Sequence, residues 1–166
     1  MNTTPTEHAT TFERASDREV VVTRTFDAPA RLVFAAWTQP ARMKQWWVPK
    51  SVGLTLDGCE MDVRIGGSYR LVFTLGEREP MAFFGTYREV IPDARLVWTN
   101  EEADDGGAVT SVTFEEDGAR TRLTMRELHP SKEAADQWLA QGMEACTRET
   151  YAQLDALLVT MRASAD

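Results

Sequence analysis

Glu127 and His129 are the side chains whose types and spacing come closest to acid–base machinery. They lie two positions apart at the end of a segment that alternates like a strand, residues 121–128, so both project from one face. An imidazole titrates near neutrality, and a carboxylate beside it can take or return a proton. Tyr69 or Tyr87 would complete a site of cyclase or hydrolase type. Against this stands the context, because His129-Pro130-Ser131 reads as a strand-to-helix junction where a histidine simply bonds a backbone carbonyl. No nucleophile and no second histidine accompany the pair, so no catalytic residue is assigned.

Metal chemistry is not expected. His8 and His129 are the only histidines, and Cys59 and Cys146 are far apart with no CxxC spacing. No cofactor is implied either. Cys59 falls in a strand-like stretch and Cys146 on an apolar helical face, which reads as two buried free thiols in a reducing cytoplasm. Residues 1–11 carry neither a basic start nor an apolar core, so they are not read as a secretory signal. Eighteen Lys and Arg against 26 Asp and Glu give a net charge of −8, which repels nucleic acid and anionic membrane surfaces alike. No apolar run approaches the ~20 residues of a membrane span.

The elements that must hold these side chains follow from periodicity. At 166 residues the chain suits one domain. Residues 1–16 are expected to be a flexible tail, 17–160 the domain, and 161–166 a flexible end. The β-branched run at 19–26 predicts a strand; Pro29 and Pro40 then open two short helices, the second ending before Pro49. After Pro49 the period becomes two, through 59–65, 69–73, 81–91, 96–101, 109–115 and 121–128. Gly66-Gly67, Pro92-Asp93, Asp104-Asp105-Gly106-Gly107 and Glu116-Asp117-Gly118 mark the turns. Ser131 is a suitable N-cap for a final helix, whose stripe runs through Ala135, Trp138, Leu139, Met143, Cys146, Thr150, Leu154, Leu157 and Leu158. The expected architecture is α+β: a curved antiparallel sheet of about seven strands around one long C-terminal helix, with two short helices after the first strand.

A curved sheet gripping a single helix leaves room for an internal cavity, and its candidate wall can be named. Tyr69, Phe73, Trp98 and Met125 are the sheet-side residues, His129 stands at the mouth, and Met143 faces them from the helix. Phe83 and Tyr87 join them as candidates, although either face of strand 81–91 can point inward, since a one-residue slip exchanges them. Trp46 and Trp47 are adjacent, so one is expected to pack inward while the other covers an entrance or lies partly exposed. Gly142 in mid-helix suggests close backbone approach or a bend over the cavity. Arg24 shares a face with Val20, Val22 and Phe26 and needs a carboxylate, either Glu60, Asp62 or Glu89, or else an acidic ligand. Asp62 and Arg64 read as a stabilising pair.

The order of elements resembles the START-like superfamily (SRPBCC, helix-grip fold). Particular strings resemble the branch homologous to the activator of the heat-shock-protein-90 ATPase. They are Arg24-Thr25-Phe26-Asp27-Ala28-Pro29, Trp46-Trp47-Val48-Pro49, Asp62-Val63-Arg64-Ile65-Gly66-Gly67, Gly85-Thr86-Tyr87-Arg88-Glu89-Val90 and Arg95-Leu96-Val97-Trp98-Thr99, spanning about residues 19–158 with the final helix. Trp47-Val48-Pro49 departs from the more usual Trp-Gly-Pro. The resemblance implies the fold and a cavity that binds a small hydrophobic or amphipathic molecule; relatives bind lipids, hormones or polyketides, and some are enzymes. A chaperone contact and a homodimer stay open as partners.

Overall fold

The computed structural model describes residues 10–101 and 107–165. Residues 1–9, including His8, most of the expected turn at 104–107, and the last residue lie outside the described residues. In chain order the elements are β1 (Thr11–Arg14), β2 (Glu19–Phe26), α1 (Ala30–Thr38), α2 (Pro40–Trp46), β3 (Leu54–Met61), β4 (Ser68–Leu75), β5 (Met81–Ile91), β6 (Arg95–Thr99), β7 (Val109–Asp117), β8 (Arg120–Leu128), α3 (Lys132–Ala140) and α4 (Met143–Ala165). The strands form one antiparallel sheet in the order β1-β2-β8-β7-β6-β5-β4-β3. The chain therefore leaves β2, crosses to the far edge through α1 and α2, and meanders back until β8 pairs with β2 along its whole length. That crossover puts both short helices on the face the last helix must also cover.

Alternation sorts the sheet into an inner and an outer face. Val22 and Phe26 of β2, Val112 and Phe114 of β7, Leu123 and Met125 of β8, and Leu96 and Trp98 of β6 are all buried on the inner side. Tyr151, Leu154, Leu158 and Met161 of α4 close over them, together with Val33, Ala36 and Trp37 of α1. The ambiguity of strand 81–91 is resolved by a bulge, since Tyr87 faces Trp98 while Glu89 faces Val97. Before the bulge Gly85 and Tyr87 are buried; beyond it Val90 packs on the core and Glu89 turns out to bind Arg95 at 2.7 Å.

Several expectations need correction. There are eight strands rather than about seven, because β1 lies inside the segment read as a flexible tail. It carries one apolar side chain, Phe12, which packs on the core beneath the Arg148 guanidinium, 4.9 Å from the ring centre. Arg148 also donates to the Thr10 carbonyl at 2.7 Å, and Arg14 pairs with Asp136 of α3 at 2.6 Å. Long-range partners of this kind leave no periodic trace. The single long helix is two helices, broken at Gly142, whose φ of +78° is a left-handed conformation that stops α3 and starts α4. The end of the chain is also helical: α4 continues to Ala165, and Met161 is buried. Ser131 caps α3 as expected, accepting from the Ala134 N–H at 3.1 Å.

Arg24 finds neither Glu60, Asp62 nor Glu89. Its Nη2 lies 3.4 Å from the Asp155 carboxylate of α4, and its guanidinium rests 5.3 Å from the Phe26 ring centre. Burial pulls its pKa down and Asp155 opposes that shift. Asp62 and Arg64 pair with each other as read, at 2.9 Å.

Two outcomes follow from this packing. A methyl group at Gly85 would fall on the Thr99 backbone carbonyl of the neighbouring strand. Gly85→Ala should therefore lower stability by about 1–3 kcal/mol, seen as a reduced urea midpoint with an unchanged slope. Deleting residues 1–16 should cost about 1–2 kcal/mol through loss of the half-buried Phe12 and its strand pairing; thermal unfolding of the truncated chain measures it.

Candidate functional site

A cavity of about 620 Å³ lies between the inner face of the sheet and the two pairs of helices. Large aromatic rings are prominent in its walls. All of the five tryptophans of the chain reach it: Trp37 from α1, Trp46 and Trp47 from the end of α2, Trp98 from β6 and Trp138 from α3. Trp37 is the hub, with ring centres of Trp46, Trp47 and Trp98 at 4.8, 5.7 and 5.9 Å and Tyr151 at 6.4 Å. Edge-to-face contacts of this kind hold large rings in fixed orientations. Trp46 anchors its own ring by donating Nε1–H to the Ala36 carbonyl at 2.9 Å. The Trp37 Nε1–H is buried and has no acceptor among the described groups.

One wall is polar. On β8, Met125, Glu127 and His129 share the inner face by alternation and all line the cavity. Thr110, directly opposite Glu127 in the sheet, donates to its carboxylate at 2.6 Å. Asn100 donates to the Thr110 hydroxyl at 3.0 Å and to the Ala108 carbonyl at 2.8 Å. Tyr69 in turn donates to the Thr99 carbonyl at 2.7 Å and contacts the Asn100 amide oxygen at 3.2 Å. A chain of hydrogen bonds thus runs from β4 to β8 and holds Glu127 against the cavity. The Tyr151 hydroxyl, 3.7 Å from the Met125 sulfur, is pushed far above the ordinary phenol range, first by burial and then by the charge of Glu127. It stays protonated at any physiological pH.

His129 is buried at the strand–helix junction, held by its backbone: its N–H donates to the Arg18 carbonyl, and Arg18 Nε donates back to the His129 carbonyl at 2.9 Å. Its ring lies 5.8 Å from that of Trp138.

The structure brings most of the sequence-derived candidates together. Trp46, Trp47, Phe73, Phe83, Trp98, Met125, His129 and Met143 all line the large cavity. The two adjacent tryptophans do not point apart; both turn toward Trp37, Trp46 buried and Trp47 half-buried. Tyr69 and Tyr87 do not line it. They line an adjoining pocket of about 30 Å³ that shares Trp37, Trp47, Phe83, Trp98 and Asn100 with the large cavity, their ring centres 5.7 Å apart. A tyrosine is therefore available to Glu127 and His129 from α4, as Tyr151, rather than from β4 or β5. Tyr151, Trp37, Asn100 and Glu127 also belong to the wall. Tyr151 was legible, since it stands three residues before Leu154 on the apolar stripe. Asn100 left no signal, because a polar residue after a strand reads as turn. Cys146 lines the cavity as a half-buried free thiol; Cys59 is also free and half-buried, and burial raises its pKa.

The family described as "Activator of Hsp90 ATPase homolog 1-like protein" matches residues 27–159. No curated protein matches the sequence. Among solved structures, a protein from Rhodobacter sphaeroides superposes with a TM-score of 0.84 at 23% identity, covering 92% of this chain and 99% of its own. One from Nitrosomonas europaea gives 0.82 at 23% identity, covering 90% and 99%. An AHSA1-like protein from Aeromonas hydrophila gives 0.66 at 18% identity, covering 82% and 92%. These likenesses show a shared fold.

Asn100 is the link in the polar chain whose loss is easiest to read. Asn100→Ala removes the donors to Thr110 and Ala108 and should lower stability by about 1–2 kcal/mol. Tyr69→Phe in the same background should cost less than in the native chain, a coupling that a double-mutant cycle measures.

Proposed function

This chain belongs to the Activator of Hsp90 ATPase homolog 1-like family, and from that premise we propose that it binds a small hydrophobic or amphipathic molecule in the large cavity. The observation that carries the reading is the cavity's size together with its wall. About 620 Å³ falls within the roughly 300–1,000 Å³ of small-molecule sites. Such sites combine a predominantly apolar lining with a few polar groups that set orientation, and the tryptophans with Glu127 and His129 have that composition. Each Å² of apolar ligand surface removed from water contributes about 25 cal/mol.

The wall can also adapt to its occupant. Met143 stands at the start of α4 beside the break at Gly142, and Met125 of β8 lines the same cavity. Unbranched thioether side chains adapt to occupants of different shape. Two free thiols fit a reducing, cytoplasmic setting.

The test uses a neutral probe, 2-naphthalenemethanol. It should raise the melting temperature of the native chain in a concentration-dependent way. Met143→Trp should place bulk in the cavity and weaken that binding about tenfold or more, while its own melting temperature moves by only a few degrees. No shift with the native chain, or undiminished binding by Met143→Trp, would count against the cavity as the binding site.

A further inference from the structure

The charge distribution of the cavity wall selects among occupants. Among the described residues that line it there is no Lys and no Arg, and the single carboxylate is Glu127. Arg24 approaches Tyr151 from outside the wall, but it lies against Asp155 of α4 at 3.4 Å. The remaining titratable wall groups are Tyr151, held protonated, the Cys146 thiol, and the imidazole of His129. In the same wall stand the tryptophans, with Trp46, Trp47 and Trp98 each against Trp37 and Trp138 against His129. Indole faces carry negative quadrupole density and attract organic cations within about 6 Å of the ring centre, tryptophan best of all.

We propose that the ligand is an organic cation with an apolar body: an alkylated or aryl-substituted ammonium whose head lies toward Glu127 and whose body lies among the tryptophans. The inference rests on the cavity-binding reading and adds the sign of the ligand's charge. Glu127 suits the role because its carboxylate is oriented in advance. Thr110 donates to one of its oxygens, and the hydrogen-bonded line from Tyr69 through Asn100 fixes Thr110. A compact ammonium would lose too much hydration on entering such a site, whereas an alkylated one carries a diffuse, weakly hydrated charge that rings can replace. An anionic amphiphile such as a fatty acid meets the opposite situation, a carboxylate facing Glu127 with no Lys or Arg among the described wall residues and His129 as the one basic group there. The net charge of −8 acts in the same direction at longer range, since it raises the local concentration of cations and lowers that of anions.

The experiment compares three probes with one naphthyl body and different heads by calorimetry on the full chain: (2-naphthylmethyl)trimethylammonium, 2-naphthalenemethanol and 2-naphthylacetate. The ammonium should bind about tenfold tighter than the alcohol, and the carboxylate weakest. Glu127→Gln should reduce the ammonium-to-alcohol ratio about fivefold or more. Glu115→Gln, which removes one exposed charge from β7, should leave that ratio unchanged and so separates the site from the net charge. Carboxylate binding equal to or tighter than ammonium binding would overturn the inference, and would make His129 the group that sets the sign. Alcohol binding without ammonium preference in the native chain overturns the charge inference alone and needs no variant to fold. Failure of all three probes overturns the cavity-binding reading with it.

Discussion

Trp37 is where the layers of this protein meet. It is fully buried in α1 and touches rings from α2, β6, β7 and α4 at once. A two-ring side chain in that position acts as a spacer as well as glue. Large rigid rings packed edge to face cannot interdigitate as closely as branched aliphatic side chains, so helices and sheet are held together while space remains beside the cluster. The cavity is in this sense a consequence of how the core is built rather than a hollow left in it. The buried N–H of Trp37 is the residual cost of the arrangement.

The second constraint is polar and runs across the strands. Burying a carboxylate near a core requires that its acceptor sites be met, and a hydroxyl and an amide in series meet part of that need for Glu127. Because Tyr69, Asn100, Thr110 and Glu127 come from different segments, their line also ties β4 to β8 across the middle of the sheet. Networks of this sort are costly when half satisfied, so a change in one member is felt along the line. It is also what fixes the one acidic point among the described residues of the wall.

Helix placement follows from a third device, the break at Gly142. A continuous helix would carry Trp138 and Tyr151 along one straight axis. A left-handed residue lets α3 and α4 take separate directions, so that Trp138 lies over His129 while Tyr151 packs into the Trp37 cluster. The aromatic wall and the polar wall are completed by different helices for that reason.

The amino-acid sequence alone carried the local rules. Alternation located the strands from β2 to β8, prolines located the starts of α1 and α2, and the family strings were readable because they combine turn residues with buried positions. Of the ten wall residues named from the sequence, eight line the large cavity, since alternation and helical spacing report which face is apolar. What lay beyond its reach was every feature set by contacts between distant segments. The β1 strand has one apolar residue and is held by Arg148 and Asp136 from the far end of the chain. The partner of Arg24 is on α4, the inward face of β5 changes at a bulge, and Tyr69 and Tyr87 pack into a small pocket instead of the large one. Periodicity is a property of neighbours along the chain and says which side of an element is buried. Only the packed tertiary structure decides what it is buried against.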